Sequence, residues 1–94
     1  MYAVVRRYSF DPRNAAEIGR KVQEGFVPLI RGAPGFVAYY WFETGPGTGA
    51  SLTVFRDESG AEASVSLASG FVIAELTDLM GEPEVLRGPV RAHA

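Results

Sequence analysis

The chain contains no cysteine. That excludes disulfides, thiolate-bound metal and a thiol nucleophile, and it leaves stability to packing alone. There is one histidine, His93, in the penultimate position, where chain ends fray and hold little geometry. One imidazole and scattered carboxylates do not make a metal-ligand set, so no metal is expected. Lysine is nearly missing too: eight of the nine basic residues are arginine, and only Lys21 is lysine. The net charge is −2, with both signs mixed along the chain. No basic stripe is available to displace counterions, so nucleic acid is not an expected partner. No run approaches the ~18 to 20 apolar residues of a membrane span, and the first residues lack the apolar core of a secretory signal. A cytoplasmic bacterial protein that does not engage a membrane is the expectation.

What is present reads as one domain over residues 1–94, of which 47% are hydrophobic and 21% charged, ordinary globular usage. No linker, low-complexity stretch or repeat divides it. Tyr2 to Phe10 is rich in β-branched and aromatic residues and stops at Asp11-Pro12, a strand followed by a turn. From 13 to 31 the spacing turns helical, with Ala15, Ile18, Val22, Phe26 and Leu29 on one stripe. Asn14 and Glu17 have the spacing of a capping box. Pro28 is expected to kink the last turn, and Gly32 to Gly35 to end the helix. Phe36 to Glu43 and Ala50 to Arg56 are two β-prone runs joined by a loop from Thr44 to Gly49, a hairpin. Asp57 is a good N-cap for a second helix, whose stripe is Ala61, Val65, Ala68, Val72, Leu76 and Leu79. In it Gly60 and Gly70 each cost up to ~1 kcal/mol relative to Ala. Pro83 to His93, interrupted at Gly88-Pro89, reads as a last strand at an edge or with a bulge.

The order is β-α-β-β-α-β. It implies an α+β, ferredoxin-like fold: an antiparallel four-stranded sheet with two helices on one face. Two helices cover one side of such a sheet, and the other side should then turn polar. The first hairpin strand does not. One of its faces carries Phe36, Ala38, Tyr40 and Phe42, and the other Val37, Tyr39 and Trp41. The second hairpin strand places Leu52 and Val54 on one face, Thr53 and Phe55 on the other. Exposed apolar area costs roughly 25 cal/mol per Å² and marks interfaces. A homodimer whose sheets close on each other is the expected solution.

Few residues invite chemistry. Tyr39, Tyr40 and Trp41 could line a pocket and hydrogen-bond a planar ligand, or fill core and dimer seam. Arg6 and Arg7 alternate across the first strand, so one points to each side. An inward arginine would need an anionic ligand or a carboxylate partner, for which Glu43 and Glu84 are candidates. The glycines from Gly45 to Gly49 lack the Lys-Ser/Thr ending of a phosphate loop. Ser64, Ser66 and Ser69 have no His or Lys in register for a triad and read as helix surface or pocket rim.

Four segments together give the chain a likeness to a known family: VVRRY at 4–8, FVPLIRGAPGFVAYYWF at 26–42, VFRDESGAEAS at 54–64 and LASGFV at 67–72. With them the chain resembles the antibiotic biosynthesis monooxygenase-like family of the dimeric α+β barrel superfamily. The resemblance implies a pocket between sheet and helices, with Phe71 as an inward aromatic and Tyr39 and Trp41 as further lining. It implies oxidation of a small aromatic or polyketide-like compound with molecular oxygen and no cofactor, Arg6 or Arg7 orienting an anionic oxygen. The haem-degrading relatives use a His on the second helix, and residues 57–80 contain none. The alternative function is a non-catalytic dimer that binds a small ligand or only assembles.

Overall fold

In the computed structural model, which describes residues 1–94, the first β-prone run forms the strand β1 (Tyr2–Ser9). The hairpin supplies β2 (Phe36–Gly45) and β3 (Thr48–Phe55), and the chain returns as β4 (Glu84–Pro89). The strands form one antiparallel sheet in the order β2-β3-β1-β4. Gly88-Pro89 thus lies on an edge strand, where a missing N–H is tolerated. The expected six-residue loop is shorter: both strands extend until only Pro46-Gly47 separates them, and the Thr44 and Thr48 hydroxyls bond across at 2.8 Å.

The two helical regions lie on one side of the sheet, as expected of the ferredoxin-like arrangement, but each contains a π-helical turn. The first arm runs through α1 (Ala15–Lys21), a π turn at Val22–Phe26 and α2 (Val27–Arg31). The second runs through α3 (Glu58–Phe71) into a π turn at Val72–Leu76. A π turn adds one residue to the local repeat, and in the first arm this shifts the stripe. In the first arm the buried set is Ile18, Val22, Phe26 and Ile30, and Leu29 is exposed. In the second, Ser64 takes the buried place expected of Val65, which is exposed. The Ser64 hydroxyl is satisfied by donating to the Ala61 carbonyl at 2.7 Å. The wide turn also frees carbonyls, and the Thr77 hydroxyl donates to two of them, Val72 at 3.2 Å and Ile73 at 2.8 Å. Pro28 directly follows the first π turn inside a continuous helical arm, where its missing N–H leaves one helical hydrogen bond unmade.

The helix starts differ too. Asn14 makes no side-chain cap, so the capping box is absent. Asp11 caps a short 3-10 turn (Pro12–Asn14) instead, accepting from the Arg13 N–H at 2.9 Å. Asp57 caps α3 as expected, accepting from Gly60 N–H at 3.1 Å. Gly60 is required rather than tolerated, because a Cβ there would stand 2.6 Å from the Pro34 carbonyl oxygen.

The core between sheet and helices holds Val4, Tyr8, Phe55 and Ala61 with the two buried stripes. Thr53 also lies in this layer, fully buried, and its hydroxyl has no partner. A buried, unpaired hydroxyl carries its full desolvation penalty. Thr53→Val, which keeps the shape, is therefore expected to stabilise the fold by about 1 kcal/mol, read as a higher urea midpoint at unchanged slope.

Candidate functional site

Register decides which side chains meet. Tyr39 lies opposite Thr53 and Trp41 opposite Ser51, while Arg6 on β1 faces Ser51 from the other side. These residues share the helix-covered face. A bulge between Phe36 and Ala38 turns Phe36 to this face as well, opposite Phe55, against the simple alternation that grouped it with Ala38. Ala38, Tyr40 and Phe42 point the other way. The aromatic run is thus divided between the two sides of the sheet.

On the helix side a hollow forms between sheet and arms. Arg6 and Tyr8 from β1, Tyr39 and Trp41 from β2, and Ser51 from β3 make its floor. Val22 and Phe26 from the first π turn, Ala68 and Phe71 from α3, and Val72 and Leu76 from the second π turn make its roof, with Met80 at one end. Both π turns therefore stand over the same hollow, a placement common at functional sites. Aromatic edges fix its walls. Tyr8 meets Trp41 edge-on with centroids 5.9 Å apart, and Phe26 meets Tyr39 at 5.2 Å and Phe71 at 5.3 Å. Phe71 lies against Gly25, where a Cβ would approach its ring to 2.8 Å. The chain's one lysine ties the arms together above, Lys21 donating to the Glu75 carbonyl at 3.3 Å.

The free space inside is about 20 Å³, room for roughly one water. It opens past Arg6, Tyr8, Ala68, Val72 and Met80 into an outer groove of about 410 Å³ that continues to Gly81, Glu82 and Pro83. Met80 stands at the boundary, and its flexible thioether chain suits a moving wall.

The electrostatics centre on Arg6. It is only 8% exposed, yet it forms no ion pair and donates no side-chain hydrogen bond within the protein. Burial holds its pKa below the ordinary guanidinium value; Tyr8 and Tyr39 oppose this, and Arg87 adds to it. Guanidinium stays protonated nonetheless. Burial also raises the phenol of Tyr8, with Arg6 opposing, and raises that of Tyr39 well above its ordinary range, with Tyr8 adding and Ser51 and Arg6 opposing. Both phenols are neutral donors at physiological pH. The hollow thus presents one positive charge without a protein partner, two phenol O–H groups and the Ser51 hydroxyl inside an aromatic box, with no carboxylate or imidazole among its lining residues. That arrangement suits a planar molecule carrying an anionic oxygen.

Of the residues singled out by sequence, Arg6, Tyr39, Trp41 and Phe71 meet in this hollow. Arg7 does not. It lies on the opposite face, paired with Glu84 across β4, so Glu84 is not available to Arg6. Glu43 is exposed and pairs with neither arginine. His93 lies exposed beyond β4. Tyr8, Ser51 and Met80 were not anticipated as lining. Tyr8 was readable, because it shares the Arg6 face two residues along β1; Met80 follows the second π turn and carries no periodic signal.

A family model described as antibiotic biosynthesis monooxygenase matches residues 1–69. Among solved structures, a protein of unknown function from Nitrosomonas europaea superposes with a TM-score of 0.83 at 22% identity, over 99% of this chain and 91% of that one. A monooxygenase from Streptomyces coelicolor in complex with nanaomycin D gives 0.73 at 20% identity, over 99% and 89%. A cofactor-independent oxygenase from Streptomyces nogalater gives 0.70 at 14% identity, over 98% and 94%. At these identities the likeness establishes the fold. No curated protein matches the sequence significantly.

Proposed function

Since the chain belongs to the antibiotic biosynthesis monooxygenase family, we propose that it oxidises a small aromatic or polyketide-like compound with molecular oxygen and no added cofactor. The observation that carries this reading is the buried, unpartnered Arg6 among aromatic walls. A guanidinium left without a carboxylate stabilises a substrate anion, lowering the pKa of a phenol or enol held beside it. The neutral Tyr8 and Tyr39 hydroxyls can donate to the same oxygen. For a ring methylene conjugated to that oxygen, this single ionisation, its proton passing to water in the outer groove, already makes the ring carbon carbanionic, and that carbon transfers its electron pair to O₂. The carbon–oxygen bond forms, the peroxide takes a proton back from water and then loses water, and a carbonyl remains. The net change is CH₂ plus O₂ to C=O plus H₂O.

The ring enters from the outer groove by displacing Met80 and rotating Phe71, because a ligand pocket occupies roughly 300 Å³ or more. The small inner void favours a second reading, a dimer that binds a small ligand without turning it over. The two readings part on oxygen. In an electrode assay with anthrone and dihydroxynaphthalene probes, the first expects one O₂ consumed per carbonyl formed and loss of uptake in Arg6→Met. Binding of the same probes without uptake leaves only the second.

Both readings include a homodimer. On the side away from the helices a row of apolar residues crosses the sheet, Tyr40, Leu52, Val5 and Leu86. Tyr40 is 60% exposed, Leu86 52% and Phe42 48%. A second copy applying the same face covers all of them through a two-fold axis. The substrate aromatics Tyr39 and Trp41 and the seam aromatics Tyr40 and Phe42 are then different residues.

A further inference from the structure

The sheet is four strands wide, and the helical arms leave the helix side of β4 uncovered. A second groove of about 490 Å³ runs there between α3 and β4. Val4, Val65 and Val85 supply its apolar surface, and Arg6, Arg87 and Glu62 its charge. Arg6 also lines the hollow and the outer groove, so it stands where all three spaces meet.

Register places the two arginines close together. Arg87 lies opposite Val4, two residues from Arg6 on the same face, and such diagonal neighbours are within reach of long side chains. Glu62 on α3 answers Arg87 at 3.0 Å. Nothing answers Arg6. Two guanidinium groups share this groove with one carboxylate, and the groove is one negative charge short.

We propose that this groove seats a carboxylate on the same ligand whose ring enters the aromatic hollow, so that the substrate is an aromatic or polyketide-like carboxylic acid. This rests on the reading of the hollow as a ring site. The substrate acid lies between Arg6 and Arg87, and the valines accommodate the carbon arm that joins it to the ring. Glu62 occupies the neighbouring position in the unliganded protein and competes with the incoming acid for Arg87. The pair it breaks is solvent-exposed on both sides, so breaking it costs little, while a bidentate guanidinium–carboxylate contact beside a buried cation is strong.

Calorimetric titration with 2-naphthylacetate and its neutral counterpart 2-naphthaleneethanol, at neutral pH, tests this. The wild-type protein is expected to bind the acid at least about tenfold more tightly than the alcohol, as charge-assisted hydrogen bonds allow. Arg87→Gln is expected to reduce the preference several-fold by weakening the acid alone, Arg6 keeping the remainder. Glu62→Gln, which frees Arg87, is expected to tighten the acid a few-fold and leave the alcohol unchanged. Thermal melts report that both variants are folded, and neither residue is buried. Equal binding of acid and alcohol by the wild type, or a preference for the acid that Arg87→Gln leaves undiminished, overturns the carboxylate site and leaves the ring site standing. Binding of neither probe overturns both.

Discussion

Arg6→Met is expected to make the protein more stable and its site ineffective. Arg6 is mostly buried and has no partner within the protein, while its charged end reaches the two grooves, so it carries a partial desolvation cost that an apolar side chain of similar length does not. The unfolding free energy should rise, by up to about 1 kcal/mol, seen as a higher urea midpoint without a change of slope. Affinity for an ionised aromatic ligand should fall about 100-fold, since hydrogen bonds to charged groups contribute up to ~3 kcal/mol each. Affinity for a neutral aromatic of the same size should change little. The opposite signs matter: an arginine that only supported the fold would lose stability on replacement, and one that only decorated the surface would change nothing. Stability sacrificed at a buried charge is the usual mark of a site kept for function.

The second large effect concerns the open face. Leu52 lies on β3 between Tyr40 and Val5, at the middle of the apolar row. Leu52→Asp places a charge at the centre of the proposed seam. In an isolated chain of 10.1 kDa this partly buried position would lose about 1 to 2 kcal/mol on the change. In a dimer the same change buries an unpaired carboxylate on both sides of the two-fold axis, and each costs several kcal/mol. Light scattering should therefore give about twice the chain mass for the wild type and the single-chain mass for the variant, with a melting midpoint that no longer depends on concentration. A wild-type protein at single-chain mass at micromolar concentration removes the dimer.

The element order was legible because period-two and helical spacing are local signals, and the turn residues between them are specific. The family likeness was legible for the same reason. Details that depend on contacts across the fold were not. Nothing local marks the π turns, yet the first moves Ile30 inward in place of Leu29, and in the second arm the helix phase buries Ser64 in place of Val65. The bulge after Phe36 turns on the pairing with β3 and changes which face that ring joins. Arg6 and Arg7 could be assigned to opposite faces from alternation, but not to their faces. Only the finished sheet shows Arg7 meeting Glu84 and Arg6 left alone among aromatics. The same holds for the aromatic run. By sequence, one set of residues had to serve pocket and seam; the register separates Tyr39 and Trp41 from Tyr40 and Phe42.

The central claim is that the hollow around Arg6 holds a ring bearing an anionic oxygen. Spectrophotometric pH titration of bound 2-naphthol tests it most directly, because the naphtholate has its own absorption. A neighbouring guanidinium in a water-poor site should lower the apparent pKa of the bound naphthol by about 1 to 2 units relative to free naphthol, and Arg6→Met should abolish that shift. A bound pKa at or above the free value, or an equal lowering in Arg6→Met, would contradict the account.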